Sequence, residues 1–530
     1  MRKKVFGLSI LFALFMNSLF SCTNYIVTKG ASKDGSAFLA YTIDAPNHIF
    51  HLYKKAAQDH NTNEKLSFVS RNGISGEIDQ IEHTYATLGF HLNEYQLAIG
   101  ETTFGGRREL MNKDKFLEYW HLLALVLERA KSAREGVMVL TDLVEKYGYA
   151  SEGETFSLVD PNEAWIVEMS GDGNGGVVWV AVKIPDGYVC PHSNMSIIDT
   201  FPLNDSEKCI YSDNVISFAI EKGYYNPETG KPFSFREAYC PVKTQKLIFS
   251  TTRTWRLLSQ SAPSLNLSAD YCRGKSSAEP YPAWIKPDNK VTLKNVLNIM
   301  RDHYEGLDFD LCKGIDAGAY GNPHYDGPPI FMVDSVEYFR ERPISVNYTA
   351  VFLVSQCRSF LADEIGGVLW YGTDNSCFTC NPPLYCGISE VPECFKIGDI
   401  NEFSWNSAWW VFNFVSNYAN IKYSYMVKDI QCLQSELEDK FIAQQDSVEC
   451  TAMKLLQDDR TKGVDFLTDY SSNCTKNVME KWTELAYNLI INYNDGYVPL
   501  ENGKRKRKGY SDEWKRKIIE SDIEKDFRLK

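Results

Sequence analysis

Short apolar runs separated by turn residues make up the chain between Cys22 and about Ile99. The clearest are Tyr25–Thr28, Ala37–Ile43 and Tyr95–Ile99, with glycine, asparagine and aspartate between them. Runs of about four to eight such residues, bounded by turn residues, predict strands that meet as hairpins. Further strands are predicted at Thr155–Val159, Ala164–Glu168 and Gly176–Val182.

Other parts of the chain repeat apolar residues with the period of an α-helix. Residues 114–147 carry such a face, which includes Trp120 and Leu123. The stretches 430–456 and 477–492 are amphipathic over a greater length and predict a mostly helical C-terminal segment. Strand runs, then helices, then strands again predict an α+β fold in layers rather than a βαβ repeat.

The composition is that of a folded globular protein: 530 residues, 44% hydrophobic and 24% charged. We expect a main domain over residues 22–410, a mostly helical segment over 411–502 and a charged tail over 503–530. The basic run Lys504–Lys508 in this tail predicts a solvated end rather than a polyanion site. The net charge of −13 argues against a nucleic-acid partner.

The first residues have the pattern of a leader that is removed. Three basic residues precede the apolar stretch Val5–Phe20. This order predicts a signal peptide or propeptide over residues 1–21 and an exported protein, whether periplasmic, secreted or on the outer surface. The stretch is interrupted at Asn17 and is shorter than the roughly 20 apolar residues of a membrane-spanning helix, and no second candidate follows. We therefore expect no integral membrane span.

The residues before Cys22 leave two interpretations open. A signal-peptidase site requires a small residue where Leu19 stands, so Leu19-Phe-Ser-Cys22 looks more like a bacterial lipoprotein box. In that case a lipid tether would be attached to Cys22. The alternative is an ordinary leader cut nearby, or self-cleavage between Ser21 and Cys22.

The remaining cysteines and histidines give weaker signals. There are 14 cysteines, and the four from Cys377 to Cys394 could hold zinc or pair as disulfides. No histidine flanks this group and no HExxH pair is present, so we predict no metal and no other cofactor. Cys357 follows an apolar run and is predicted to be a core residue.

Cys22 has the most unusual chemistry of the chain. Removal of residues 1–21 would make it the first residue, with an α-amino group beside its own thiol. An α-amine titrates near about pH 7.7–8 and a thiol near about pH 8.5, so the amine can accept the thiol proton close to neutrality. One residue would then supply both nucleophile and base.

Several sequence blocks together resemble the C69 family of dipeptidases. Cys22-Thr23 follows the removable leader, and the other blocks are Ala31–Ser36, Leu92–Gly106, Tyr147–Tyr149, Glu152–Phe156, Asp160–Glu168, Thr252–Leu258, Met300–Gly306 and Ile365–Trp370. The resemblance implies the fold of N-terminal-nucleophile hydrolases, a four-layer αββα sandwich. It also implies cleavage of peptide bonds in dipeptide substrates.

The resemblance further implies roles for individual residues. Cys22 would be the nucleophile and its α-amine the base, and Asp44 would orient that amine. The backbone N–H of Asn93 and the side chain of Asn194 would stabilise the oxyanion. A turn-capping role for Asp44 is the alternative to a catalytic one.

Arg256, with Arg253 as the second choice, matches the active-site arginine of the family. Tyr41 departs from the family pattern, in which an arginine tends to stand at this position. An arginine would favour the thiolate by its charge, whereas a phenol can only hydrogen-bond. Glu101 and Thr102 are expected to bind substrate, where an acid could pair with the amino group of a dipeptide.

Two other functions are compatible with the sequence. The first is an amidase of the same fold that acts on N-acyl amides such as penicillins or conjugated bile acids. The second is a non-catalytic surface lipoprotein, since lipidation of Cys22 would remove both the thiol and the free amine.

Overall fold

The computed structural model describes residues 21–61, 63–243, 247–324, 327, 329–500 and 502–521. Apart from Ser21, the predicted leader lies outside the described residues. The strands are β1 (Thr23–Val27), β2 (Ala37–Asp44), β3 (Lys54–Lys55), β4 (Gln58–Asp59), β5 (Lys65–Val69), β6 (Ser75–Asp79), β7 (His83–Thr84), β8 (Thr87–Leu88), β9 (Leu92–Asn93), β10 (Ala98–Gly105), β11 (Gly153–Val159), β12 (Ala164–Gly171), β13 (Val177–Lys183), β14 (Val189–Ser193), β15 (Cys209–Tyr211), β16 (Ile330–Val333), β17 (Val336–Phe339), β18 (Thr349–Cys357), β19 (Val368–Thr373), β20 (Pro383–Tyr385), β21 (Tyr497–Pro499) and β22 (Arg505–Arg507).

The helices of the described residues are α1 (Tyr119–Arg129), α2 (Ala133–Tyr147), α3 (Ser217–Glu221), α4 (Phe235–Tyr239), α5 (Thr252–Ser261), α6 (Leu293–Ile299), α7 (Asp363–Gly366), α8 (Ala408–Ala419), α9 (Tyr423–Asp458), α10 (Arg460–Tyr493) and α11 (Asp512–Ser521).

Two antiparallel sheets form the centre of the molecule. The first has the strand order β14-β1-β2-β18-β19-β20, and the second has the order β15-β13-β12-β11-β10-β9-β8-β3. The sheets pack on each other where β10 and β11 meet β1, β2 and β14. The remaining strands form the hairpin pairs β4–β7, β5–β6, β16–β17 and β21–β22.

The central strands are covered on both faces, which explains their continuous apolar runs. All eight residues of β2 and all nine of β18 are buried. The run predicted from Tyr95 becomes a strand only at Ala98, because Gln96 adopts a positive φ of 64° in a turn. Past this turn, the strand continues to Gly105.

The helical pattern of residues 114–147 corresponds to two helices, α1 and α2, rather than one. The chain leaves helical geometry at Ala130, and the Ser132 side chain begins α2 by accepting a hydrogen bond from the backbone N–H of Glu135. Leu122 and Leu140 then pack with Trp165 of β12 in a hydrophobic cluster of their own. This cluster covers one face of the second sheet.

The predicted helical C-terminal segment is confirmed as α8, α9 and α10, and it shares the main core with the sheets. Phe412, Ile430 and Trp482 are buried in the same hydrophobic cluster as Phe38 and Phe352 of the first sheet. The two predicted parts, 22–410 and 411–502, are therefore packed around common apolar residues.

The charged tail is exposed, as predicted, but part of it has regular structure. The basic residues of β22 pair with β21, and α11 has no buried residue. Residues 522–530 lie outside the described part. Within the described residues, no helix combines the length and apolarity needed to cross a membrane.

We predict that Arg301 is important for attaching α9 to the core. Its guanidinium donates to both carboxylate oxygens of Glu438, at 2.5 and 3.1 Å, and both side chains are buried. Arg301→Met leaves the buried Glu438 carboxylate with only Lys294 Nζ, at 3.5 Å, as a charged partner among the described residues, so the free energy of unfolding should fall by about 3 kcal/mol. Urea unfolding measures this change. Lys476→Met, which breaks an exposed pair with Glu480, should cost less than about 1 kcal/mol, and equal losses for the two variants would contradict the prediction.

Candidate active site

Cys22 directly precedes β1, and the pairing of β1 determines its neighbours. Thr23 is paired with Ser193 of β14 on one side and with Thr42 of β2 on the other. Asn194 follows β14 and Asp44 ends β2, so both lie at the sheet end that carries Cys22. The cysteine is 1% exposed.

The thiol of Cys22 lies against Glu101 and Tyr41. Cys22 Sγ donates to Glu101 Oε1 at 3.3 Å, and the Tyr41 hydroxyl donates to the same oxygen at 2.5 Å. The hydroxyl is 4.0 Å from Sγ. The structure thus places Glu101, the predicted substrate-binding acid, at the thiol. Tyr41 is a neutral hydrogen-bond donor beside it.

A second buried acid, Glu154, lies beside Glu101. The registry of β10 with β11 pairs Thr103 with Glu154, so Glu101 and Glu154 are diagonal neighbours. Burial raises the pKa of Glu154, and the neighbouring charge of Glu101 raises it further. Thr103 Oγ1 donates to Glu154 Oε2 at 2.8 Å. Sequence reasoning missed Glu154, because nothing in Glu-Gly-Glu-Thr-Phe marks its second glutamate as close to Cys22.

These surroundings favour the protonated thiol. Burial raises the pKa of the Cys22 thiol well above its ordinary value, and the charges of Glu101 and Asp44 raise it further. Burial also raises the pKa of Glu101 and, more strongly, that of Glu154. With residues 1–21 attached, burial and the neighbouring acids therefore favour the neutral thiol over the thiolate.

Arg253, and not Arg256, is the arginine at Cys22. Arg253 Nη1 donates to the carbonyl oxygen of Cys22 and to Thr23 Oγ1, both at 2.7 Å, and Nη2 donates to Asn194 Oδ1 at 2.8 Å. Its side chain is fully buried, and burial lowers its pKa to about 9. Arg253 thus fixes the position of the Cys22 backbone, and with it the position of the thiol.

The choice of Arg256 is corrected by its own contacts. Its guanidinium makes a bidentate ion pair with Asp302, at 2.7 and 2.9 Å, and donates to the Glu305 carbonyl at 3.0 Å. Arg253 and Arg256 are three residues apart on α5, but Arg253 is the one that donates to the carbonyl of Cys22, just before β1. A helical period does not distinguish them, because i and i+3 lie near the same face.

Arg342 is a second arginine at the site that the sequence did not predict. It forms an ion pair with Asp44, and its Nη2 also donates to the carbonyl oxygen of Ser21 at 2.7 Å. Thr349 Oγ1 donates to the other Asp44 oxygen at 2.7 Å. Burial raises the pKa of Asp44, and the Arg342 charge opposes that rise. Asp44 is therefore held by side chains from distant segments rather than acting as a turn cap.

Ser21 is bound by the same groups. Its hydroxyl donates to Asn194 Oδ1 at 3.0 Å, and its backbone N–H donates to the Asp44 carbonyl at 3.5 Å. Asn194 Nδ2 donates to the Thr103 carbonyl at 2.9 Å. The peptide bond between Ser21 and Cys22 thus lies among Asp44, Asn194 and Arg342.

The structure does not bring Asn93 to the thiol. Its backbone N–H donates to the Leu97 carbonyl at 3.0 Å, and its side-chain amide donates to the carbonyls of Leu127 and Ala130. These bonds close the turn before β10 and tie it to the end of α1. In this structure the predicted donor is therefore not available to an oxyanion at Cys22.

Thr102 is likewise occupied elsewhere. Its hydroxyl bonds to His192 Nδ1 at 2.8 Å, and His192 Nε2 bonds to Ser157 Oγ at 2.6 Å. The Thr102 hydroxyl is therefore engaged with β14, whereas the neighbouring Glu101 carboxyl is engaged with Cys22 and Tyr41. Burial lowers the pKa of His192 to about 3, which keeps this link neutral.

The cysteine group from Cys377 to Cys394 has free thiols and no metal-binding geometry. Its first three cysteines are buried. Within the described ranges, no three or more His, Cys, Asp or Glu side chains are arranged to hold a metal ion. Cys357 is fully buried in β18, as predicted.

Known proteins resemble this chain over most of its length. The model of peptidase family C69 matches residues 21–436. A probable dipeptidase of Salmonella dublin is 26% identical over 394 residues, covering 71% of this chain and 83% of that protein. A probable dipeptidase A of Streptococcus pyogenes serotype M1 is 24% identical over 495 residues, covering 89% and 97%. A dipeptidase of Bifidobacterium longum is 25% identical over 413 residues, covering 70% and 72%.

We predict that Glu101 holds the Cys22 thiol in its protonated form. Glu101→Gln removes the negative charge next to Sγ, so alkylation of Cys22 by iodoacetamide should extend to lower pH than in the unchanged chain. Peptide mass spectrometry of Cys22 over a pH series measures this shift. Glu168→Gln alters another fully buried carboxyl, which accepts from Ser196 and Ile197, and should leave the profile in place. The same profile in all three proteins would disprove the role of Glu101.

Proposed function

Because this chain belongs to peptidase family C69, we propose that it hydrolyses dipeptides with the thiol of Cys22 as the nucleophile. The names of the relatives support dipeptides as the substrate class. The main supporting observation is the position of Cys22: a buried thiol between two acids, held through its own carbonyl by Arg253. Helices α1 and α2 contact the second sheet, the second sheet contacts the first, and α5 and α10 contact strands of the first sheet. These contacts support the four-layer αββα arrangement of an N-terminal-nucleophile hydrolase.

The nucleophile becomes active when residues 1–21 leave. The nitrogen of Cys22 is then a free α-amine, which can accept the thiol proton. Sγ attacks the scissile carbonyl, and the amine passes the proton to the leaving amino group, so that a thioester forms and the second amino acid departs. Water then hydrolyses the thioester and regenerates the thiol.

The contacts of Ser21 support cleavage of the peptide bond between Ser21 and Cys22. Arg342 donates to the Ser21 carbonyl, which polarises the bond that must break. In self-cleavage, Cys22 Sγ attacks this carbonyl, the bond from Ser21 to the Cys22 nitrogen breaks, and that nitrogen takes a proton. Water hydrolyses the resulting thioester. Once Ser21 has gone, the Arg342 donor is available to a substrate oxyanion.

Export is part of this proposal. The basic and apolar pattern before Ser21 supports a leader that carries the chain out of the cytoplasm. A lipid on Cys22 would occupy the sulfur, and the α-amine would then have no thiol to deprotonate. The tethered form and the hydrolase form therefore exclude each other at this residue.

We predict that the mature protein begins at an unmodified Cys22 and that Cys22→Ala abolishes dipeptide hydrolysis. Loss of the nucleophile should lower kcat by about 10⁴-fold or more. Intact mass and N-terminal sequencing identify the first residue, and amino-acid release from alanyl-alanine measures activity. Cys357→Ala, which removes another buried thiol, should remain active if folded. An active Cys22→Ala protein, or a diacylglycerol-modified Cys22 in the native host, would refute the mechanism.

The two arginines on α5 provide a second test. Arg253→Met should lower kcat/KM by about a hundredfold or more, because Cys22 and Asn194 lose the donor that aligns them. Arg256→Met breaks an ion pair with Asp302 but leaves those bonds, so kcat/KM should change less than about tenfold in folded protein. Kinetics with alanyl-alanine on both variants, with thermal unfolding as the check on folding, measure the difference. A larger loss in the Arg256 variant would reverse the assignment.

A further inference from the structure

We infer that the buried pair Glu101 and Glu154 binds the α-ammonium group of the substrate, and that this ammonium supplies the positive charge that Tyr41 does not. The inference rests on the proposed function, since it takes Cys22 as the nucleophile. It restricts the substrates to dipeptides whose first residue has a free amine.

The distances place a substrate amine next to this pair. Glu101 Oε1 is 3.3 Å from Cys22 Sγ. A carbonyl carbon poised for attack lies about 3–3.5 Å from the nucleophile, and in a dipeptide the α-nitrogen is two bonds from that carbon. A dipeptide amine can therefore reach Glu101 while its carbonyl remains at the thiol.

The pair lacks a cationic partner in the described residues. Tyr41, Cys22 and Thr103 are its hydrogen-bond donors, and all three are neutral. Glu101 Oε2 and Glu154 Oε1 receive no donor from any other described residue. Both side chains are almost fully buried, where an ionised carboxyl without a counter-charge is costly. A bound ammonium would remove this cost.

A buried hydroxyl also lies near the pair. The Tyr149 side chain is fully buried. Burial raises the pKa of its hydroxyl, and the charge of Glu154 raises it further. Ser151 is the neighbour that acts on this hydroxyl in the opposite direction. The surroundings of the acid pair therefore contain neutral hydroxyls and no positive charge among the described residues.

The arginines of the site cannot provide the missing charge. Arg253 is bound to the Cys22 carbonyl and Asn194, and Arg342 is bound to Asp44 and Ser21. Negative charge on Glu101 disfavours the thiolate of Cys22, whose Sγ lies 3.3 Å from it. A bound ammonium cancels this charge, so the thiol releases its proton more readily once the substrate is in place.

An N-acyl substrate would not have this effect. Its amide nitrogen is neutral, so the charge on the acid pair would stay buried without a counter-charge. The pair therefore argues against the N-acyl amide hydrolase and for a peptidase that requires the free amine. Substrate charge then supplies the positive charge that the neutral Tyr41 does not.

The test compares alanyl-alanine with N-acetyl-alanyl-alanine in the processed protein and in three variants. The unchanged protein should prefer the free dipeptide by about a hundredfold or more in kcat/KM, the range expected for a buried charge pair. Glu101→Gln and Glu154→Gln should reduce this preference to less than about tenfold, mainly by loss of activity toward the free dipeptide. Glu168→Gln, the matched buried carboxyl, should retain the full preference.

A second measurement does not depend on turnover. Alanine amide should shift the pH profile of Cys22 alkylation to lower pH in the unchanged protein, and N-acetylalanine amide should not. The shift should disappear in Glu154→Gln, and circular dichroism and thermal unfolding identify variants that have not folded.

The outcomes separate this inference from the proposed function. If Cys22→Ala is inactive but both glutamate variants keep the preference for the free amine, the dipeptidase stands and the ammonium site is refuted. Equal hydrolysis of both substrates by the unchanged protein also refutes it. Activity in Cys22→Ala refutes the proposed function itself.

Discussion

The placement of β1 between β14 and β2 is the constraint on which the active site depends. This pairing puts Cys22 at the sheet end where Asn194 and Asp44 also lie. Because side chains alternate across a strand, a slip of one residue would turn Cys22 away from Glu101. Arg253 stabilises the correct registry, since it donates to the carbonyl of Cys22 from a different element. The surroundings of the proposed nucleophile are thus a consequence of sheet pairing.

The part of the site that could be predicted from sequence is the part close to β1 or carried by a family motif. Asp44 and Asn194 end or follow strands, and Glu101 lies within a recognisable block. Arg342 lies outside the recognised blocks, and Glu154 lies inside one, Glu152–Phe156, that does not mark it as a neighbour of Cys22. Hydrophobic periodicity predicts local helices and strands, but not which distant segments pack against each other.

The same distinction applies to the fold. Central strands such as β2 and β12 were predictable because burial on both faces leaves an uninterrupted apolar run. The break between α1 and α2 depends on the single capping interaction of Ser132 with Glu135, which a helical period conceals. The long C-terminal helices were also predictable, but their apolar faces do not say which surface they cover. Only the structure shows that Trp482 and Phe352 belong to one core.

Under the proposed mechanism, the contacts of Ser21 make the unprocessed chain an inactive precursor. While Ser21 remains attached, the Cys22 nitrogen is an amide that cannot act as a base, and the thiol is closed off from solvent. Arg342, Asn194 and Asp44 are bound to the leader residue instead of a substrate. A chain processed as proposed would therefore stay latent until Ser21 leaves, and the same contacts that hold Ser21 would become the contacts offered to a substrate.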